Sequence, residues 1–300
     1  MNEAIYEKYK RAGSIASSAR EHGANLIKEG ASYLDVVTTV ESEIKEQGAG
    51  IAFPANISVN ELAAHFSPRH DDTALVFRKG DVVKIDVGAH VDGYIADTAK
   101  TVEVSTHTYD KMIRASREAL NNAIAHIKAD IPLCEIGKII EDTIASFGYK
   151  SIDNLTGHSL QCYTLHSGLS IPNVADMLNR SKPNLEDVLA IEPFATDGAG
   201  HVISGQSSNI YRYQSSVRAR FIRDTKARSL ATKIHKRFNE LPFAERWCAD
   251  ISSHPDSSLK RLIFAGCIKQ YPQLIDANHG IVTQAEHTVI IHENDCEVTT

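Results

Sequence analysis

Two aspartates impose the first constraint. In the run KIDVGAHVDGYIAD, Asp86 and Asp97 stand eleven residues apart, each set among Val, Ile and Ala. The run reads as a β-hairpin: a strand over 81–87, a turn around Asp92-Gly93, and a second strand near 94–104. A turn centred between Val91 and Asp92 puts the two aspartates directly opposite each other on one face, with Cβ atoms within about 5.5 Å. Like charges so placed are destabilising unless a cation lies between them. A single aspartate at a wet strand end needs no explanation. Two carboxylates embedded in apolar sequence need partners.

Three more donors occupy similar settings. His158 follows a glycine in LTGHSL, Glu192 lies in LAIEPFAT, and Glu286 lies in TQAEHTVII. Taken alone, each reads as a satisfied or edge polar residue. Together with Asp86 and Asp97 they make four carboxylates and one imidazole, a donor set for hard or borderline divalent ions. Two divalent cations would balance the four negative charges.

The elements that must bring these donors together are legible in part. Residues 5–29 have helical apolar spacing and stop at Gly30; Ser32 caps a second helix that ends at Gly48. The pair then recurs, with a helix over 109–129 and another over 134–147 that ends at Gly148. An offset of 100 residues superposes Asp35 on Glu135, Val36 on Ile136, Val40 on Ile140, Glu41 on Glu141, Ile44 on Ile144 and Gly48 on Gly148. This points to a structural repeat, whose halves would face each other across a cleft. Further helices are expected over 226–239 and 243–251, and a strand over 281–291.

Composition narrows the class. The 300 residues are 42% hydrophobic, enough for a core and too much for a disordered chain. No run approaches the roughly 18 apolar residues of a membrane helix, and the polar N-terminal stretch does not read as a signal peptide. A cytoplasmic location is the expectation. The five cysteines are odd in number and lack CxxC spacing, which argues against a disulfide framework or a cysteine-based zinc site. Net charge is −6, yet the stretch from Arg212 to Arg237 holds nine basic residues and one acid, Asp224. Segment 206–268 therefore reads as a compact helical insert.

These motifs resemble type II methionine aminopeptidases, in their archaeal form. The resemblance rests on DVVKIDVGAHVDGYIAD (81–97), FPANISVNELAAHF (53–66), GHSLQCYTLHSG (157–168), IEPFAT (191–196) and the YPQL…QAEHT stretch (271–288), all in the family's order. It implies an α+β pita-bread (creatinase/aminopeptidase) fold. One catalytic domain would span 1–300 as two pseudo-twofold halves, with 206–268 as an inserted helical, winged-helix-like subdomain. It implies removal of the N-terminal methionine from nascent proteins, with a small second residue preferred. Two divalent ions (Co, Mn, Fe or Zn) sharing a bridging water or hydroxide would do the hydrolysis.

Carried over by position, Asp97 and Glu286 bridge the ions, Asp86 binds one, and His158 with Glu192 completes the other. Glu192 is also the general base. His65 and His166 contact the substrate as catalytic and binding residues, and Phe53, Leu165, His201 and Tyr271 line the methionine pocket. A monomer is the family default. The basic run 212–237 suits either a solvated face or docking on ribosomal RNA. Two other readings compete: an Xaa-Pro peptidase on the same fold, and a catalytically altered relative that binds RNA or protein.

Overall fold

The computed structural model describes every residue except Ser215, Ser253 and His254, and the side chains of Ser216 and Val217 are left aside. The chain opens with α1 (Glu3–Leu26) and α2 (Tyr33–Glu46). Asn2 caps α1 by accepting from Ile5 N, and Ser32 caps α2 by accepting from Asp35 N, as the capping sequence predicts. Strands β1 (Gly50–Val59), β2 (Leu62–Ala64), β3 (Val82–Val91) and β4 (Tyr94–Glu103) follow. The helices bury Ile15, Val36, Val40 and Ile44 against Ile57, Ile85 and Val87 of the β1-β3-β4 sheet.

The second half repeats the plan with α3 (Asp110–His126) and α4 (Leu133–Ser146). After them come β5 (Lys150–Ser151), β6 (Thr156–Leu160), β7 (Ser170–Pro172), β8 (Val188–Ile191) and β9 (Phe194–Thr196). A separate core of Met112, Leu120, Leu133, Ile140, Leu189 and Val289 holds this half. α2 and α4 begin and end 100 residues apart, and each stops at a glycine with positive φ, Gly48 (80°) and Gly148 (84°). The offset read from sequence is thus a repeat of the helical layer.

Strand β10 (Val202–Tyr213) leads into α5 (Ser216–Arg220), α6 (Thr225–Phe238), β11 (Phe243–Ala244), a 3₁₀ turn at Glu245–Cys248, α7 (Pro255–Phe264) and β12 (Ile268–Asp276). Leu230, Ile234, Phe243, Leu259 and Leu262 form a core of their own here. The helix expected over 243–251 is replaced by β11 and the 3₁₀ turn, because Phe243 and Ala244 pair with Tyr211 and Ile210 of β10. Helix α7 was not foreseen. Last come β13 (Val282–Gln284), β14 (His287–Ile291) and β15 (Cys296–Val298). The single strand expected over 281–291 is therefore broken. β13 pairs with β9, β14 pairs with β8 and β15, and Glu286 sits in the gap.

No described helix is long and apolar enough to cross a membrane. The 3₁₀ turn at Glu245–Cys248 is clamped to the first half by a buried ion pair. Arg246 bonds Glu41, Ser67 Oγ and the Pro68 carbonyl, while Trp247 Nε1 donates to Glu41 Oε2 at 2.8 Å. Glu41 also accepts the Ala55 backbone N–H at 3.1 Å, two residues from Phe53.

Candidate metal centre and substrate cavity

The β3–β4 hairpin carries the two aspartates, but its register is not the one expected. Asp92 (φ 51°) and Gly93 (φ 90°) both take positive φ and form a two-residue turn closed by the Val91–Tyr94 pair. The hairpin centre thus moves one residue along. Asp97 lies opposite Gly88 and Asp86 opposite Ala99. The aspartates are diagonal neighbours on one face rather than a directly opposed pair. Gly88 has a second reason to be glycine: a Cβ there would come within 2.2 Å of the Phe53 ring, across from it on β1.

The other donors arrive from separate elements. His158 lies in β6, Glu192 just past β8, and Glu286 in the break between β13 and β14. His158 Nε2 is 3.6 Å from Asp97 Oδ2 and 3.8 Å from Glu192 Oε1. One donor atom from each of Asp97, His158 and Glu286 lies within 4.8 Å of the other two, and all three residues are buried. Asp86 and Glu192 line the same cavity beside this trio. Supporting bonds fix these side chains. Thr288 Oγ1 donates to the Asp97 carbonyl and accepts from Asp97 N, both at 2.8 Å. Gln284 Nε2 reaches Glu286 Oε2 at 3.2 Å and Glu192 Oε2 at 3.4 Å. Asn173 Nδ2 holds the Glu192 carbonyl at 3.1 Å.

The electrostatics fit a bound cation. Burial pushes the Asp86 carboxyl up, and burial with neighbouring negative charge pushes Asp97, Glu192 and Glu286 well above the usual range. Burial also lowers His158 to about 3, with the nearby His166 ring a second cause, so the imidazole is neutral and able to ligate. Asp86 Oδ1 and Asp97 Oδ1 are buried with no hydrogen-bond partner. Gaps of 3.6 and 3.8 Å between donor atoms are too long for hydrogen bonds. They are close to the separation of two ligands that each sit about 2.1 Å from one ion. The residues present therefore fit divalent metal.

Above the carboxylates opens a cavity. Phe53, Leu165 and Tyr271 line it, as do His65 and His166. The His166 ring packs 4.2 Å from His158, and the His65 ring meets Tyr271 edge-on at 5.1 Å. Burial lowers His65 to about 4 and lowers His166 as well. His65 sits at φ 65°, a strained backbone for a non-glycine residue beside a site. His201 does not join them. Its ring is half exposed, with Nδ1 2.6 Å from Asp153, because the loop before β10 turns it outward. Ile210, Pro242, Asn56 and Ala64 also line the cavity. Asn56 and Ala64 lie within the FPANISVNELAAHF motif, whereas Ile210 and Pro242 carry no local sequence signal. They meet only because β10 and β11 pair and β1 crosses the floor.

Comparison with known proteins agrees with this geometry. The profile of metallopeptidase family M24 matches residues 7–240. A methionine aminopeptidase of Methanocaldococcus jannaschii is 48% identical over 295 residues, 98% of each chain. A methionine aminopeptidase of Thermotoga maritima superposes with a TM-score of 0.74 at 24% identity, covering 100% of this chain and 98% of that one. A thermophilic Arx1 superposes at 0.86 with 16% identity, covering 100% and 91%. The two superpositions speak to the fold, which is the α+β pita-bread arrangement.

Proposed function

This chain belongs to metallopeptidase family M24, and from that premise we propose that it is a metal-dependent aminopeptidase that removes the N-terminal methionine of nascent proteins. The observation that carries this reading is the convergence of Asp97, His158 and Glu286 beneath a cavity walled by Phe53 and Tyr271. Asp97 and Glu286 would hold two divalent ions between them, Asp86 would serve one, and His158 with Glu192 the other. Co, Mn, Fe and Zn all accept such donors. When bound, the ions acidify a water and polarise the scissile carbonyl.

The protein's own groups do the rest. Glu192, a carboxylate beside the other donors on the cavity wall, takes the proton of the attacking water. His65 and His166 are held neutral, so each ring keeps one N–H to donate to the substrate carbonyl as negative charge develops there. The substrate's free α-amine meets the carboxylate cluster, which an internal peptide bond cannot do. Methionine suits the cavity because its flexible thioether packs against the rings of Phe53 and Tyr271.

Segment 206–268 acts as an inserted helical subdomain around its own core. Its basic run 212–237 would bring the chain to ribosomal RNA in the cytoplasm, and the working unit is a monomer. Ribosome co-sedimentation unchanged by charge reversal at Arg220, Arg223 and Arg228 would reject that docking. The core reading is tested by metal analysis together with methionine release from Met-Ala-Ser. Two equivalents of metal and release from that peptide, but not from Xaa-Pro peptides, are expected. A metal-loaded protein inert towards Met-Ala-Ser would overturn it. With all five donors present, a non-catalytic binding role is not favoured.

A further inference from the structure

The cavity wall continues outward along β10. Ile210 lines the cavity, while Tyr211 and Tyr213 turn to the other side and enter the insert core. Strand alternation therefore puts Arg212 on the cavity side, one step further out than Ile210. Arg212 is exposed and hydrogen-bonds the side chain of Tyr271, and its positive charge acts on the His166 ring. On the paired strand its cross-strand partner is Lys269, also exposed. Two cations placed opposite each other disfavour the fold slightly unless an anion visits them. Arg212 also borders an open groove with Glu240 as its one carboxylate among the lining residues. Glu240 of the groove is two residues from Pro242 of the cavity, and Arg212 of the groove is two residues from Ile210 of the cavity.

We infer that Arg212, backed by Lys269, is a specificity residue that favours peptides with a carboxylate side chain in the third or fourth position. The inference rests on the aminopeptidase reading. With methionine in the cavity, an extended peptide that leaves on the Tyr271 and Arg212 side advances about 3.3 Å per residue. Residues three and four then pass the Arg212 guanidinium, whose planar fork matches a carboxylate. The effect is modest because the site is wet, about three- to fivefold.

The test uses the metal-loaded chain and two amidated peptides, Met-Ala-Asp-Ser-amide and Met-Ala-Lys-Ser-amide, at low salt. For the unaltered chain, kcat/KM should favour the Asp peptide about three- to fivefold, mainly through KM, and the ratio should narrow at high salt. Arg212→Gln should bring the ratio to about one, Arg212→Lys should keep part of it, and Arg212→Glu should invert it. An equal loss on both peptides in Arg212→Gln would mean that Arg212 only steadies Tyr271, and the inference fails. It fails too if the unaltered chain cleaves both peptides equally well. If that chain releases methionine from neither peptide, the aminopeptidase reading itself falls, and this inference with it.

Discussion

The two halves share a helical layer and differ in what their strands deliver. Glu41 and Glu141 occupy the same repeat position, and each accepts a backbone N–H from a following segment, Ala55 in one half and Ala175 in the other. The helical frame is thus copied down to a carboxylate. The chemistry is not copied. The first half places Asp86 and Asp97 on one local hairpin, whereas the second supplies His158 from β6 and Glu192 from just past β8 and depends on a returning segment for Glu286. A repeated scaffold thus carries unlike side chains: two aspartates on one hairpin in the first half, a histidine and a glutamate from separate elements in the second.

Removing a donor that both halves rely on is the most direct way to break the comparison. Asp97→Ala and Glu286→Ala should each lower kcat by about 10³-fold or more, since Lewis-acid stabilisation is worth several kcal/mol. Metal content measured on the same samples should fall. Retained turnover in Glu286→Ala with added metal would refute its bridging role.

The paired glutamates sharpen the contrast. Glu41 is tied into a buried pair with Arg246, so Glu41→Ala should cost about 3–5 kcal/mol in denaturant unfolding. Glu141 is only partly buried and holds one backbone N–H, so Glu141→Ala should cost about 1.5–3 kcal/mol. Equal losses would mean that the insert clamp adds nothing to the first half.

The two histidines, one from each half, come next. His65→Ala and His166→Ala should each reduce turnover by about 10²-fold with metal content unchanged. Loss of metal in either variant would move that ring from the substrate to the ligand set. The smallest effect tests the repeat alone. Gly48→Ala and Gly148→Ala should each destabilise by about 1–2 kcal/mol, because both need left-handed backbone. A large difference between them would weaken the equivalence of the two helix ends.

The helical layer was readable because apolar spacing and stop glycines are local signals. The donors were readable because five polar residues stood in apolar runs. Their exact pairing was not, because hairpin register follows turn chemistry. Asp92-Gly93 wants the two central positions of the turn, which moves the centre off the Val91–Asp92 bond. His201 was misplaced for a similar reason, since a loop and not a strand decides where it points. Ile210 and Pro242 had no local mark at all, and only the fold makes them neighbours of Phe53.

The gap between β13 and β14 has a consequence for synthesis. Glu286 is the last of the five donors to leave the ribosome, and its backbone is latched to Ala99 by a reciprocal pair of bonds, 3.0 and 3.4 Å. No shorter nascent chain can own a finished centre, however well its first half has folded. A peptidase for newborn proteins is in this way silent during nearly all of its own birth.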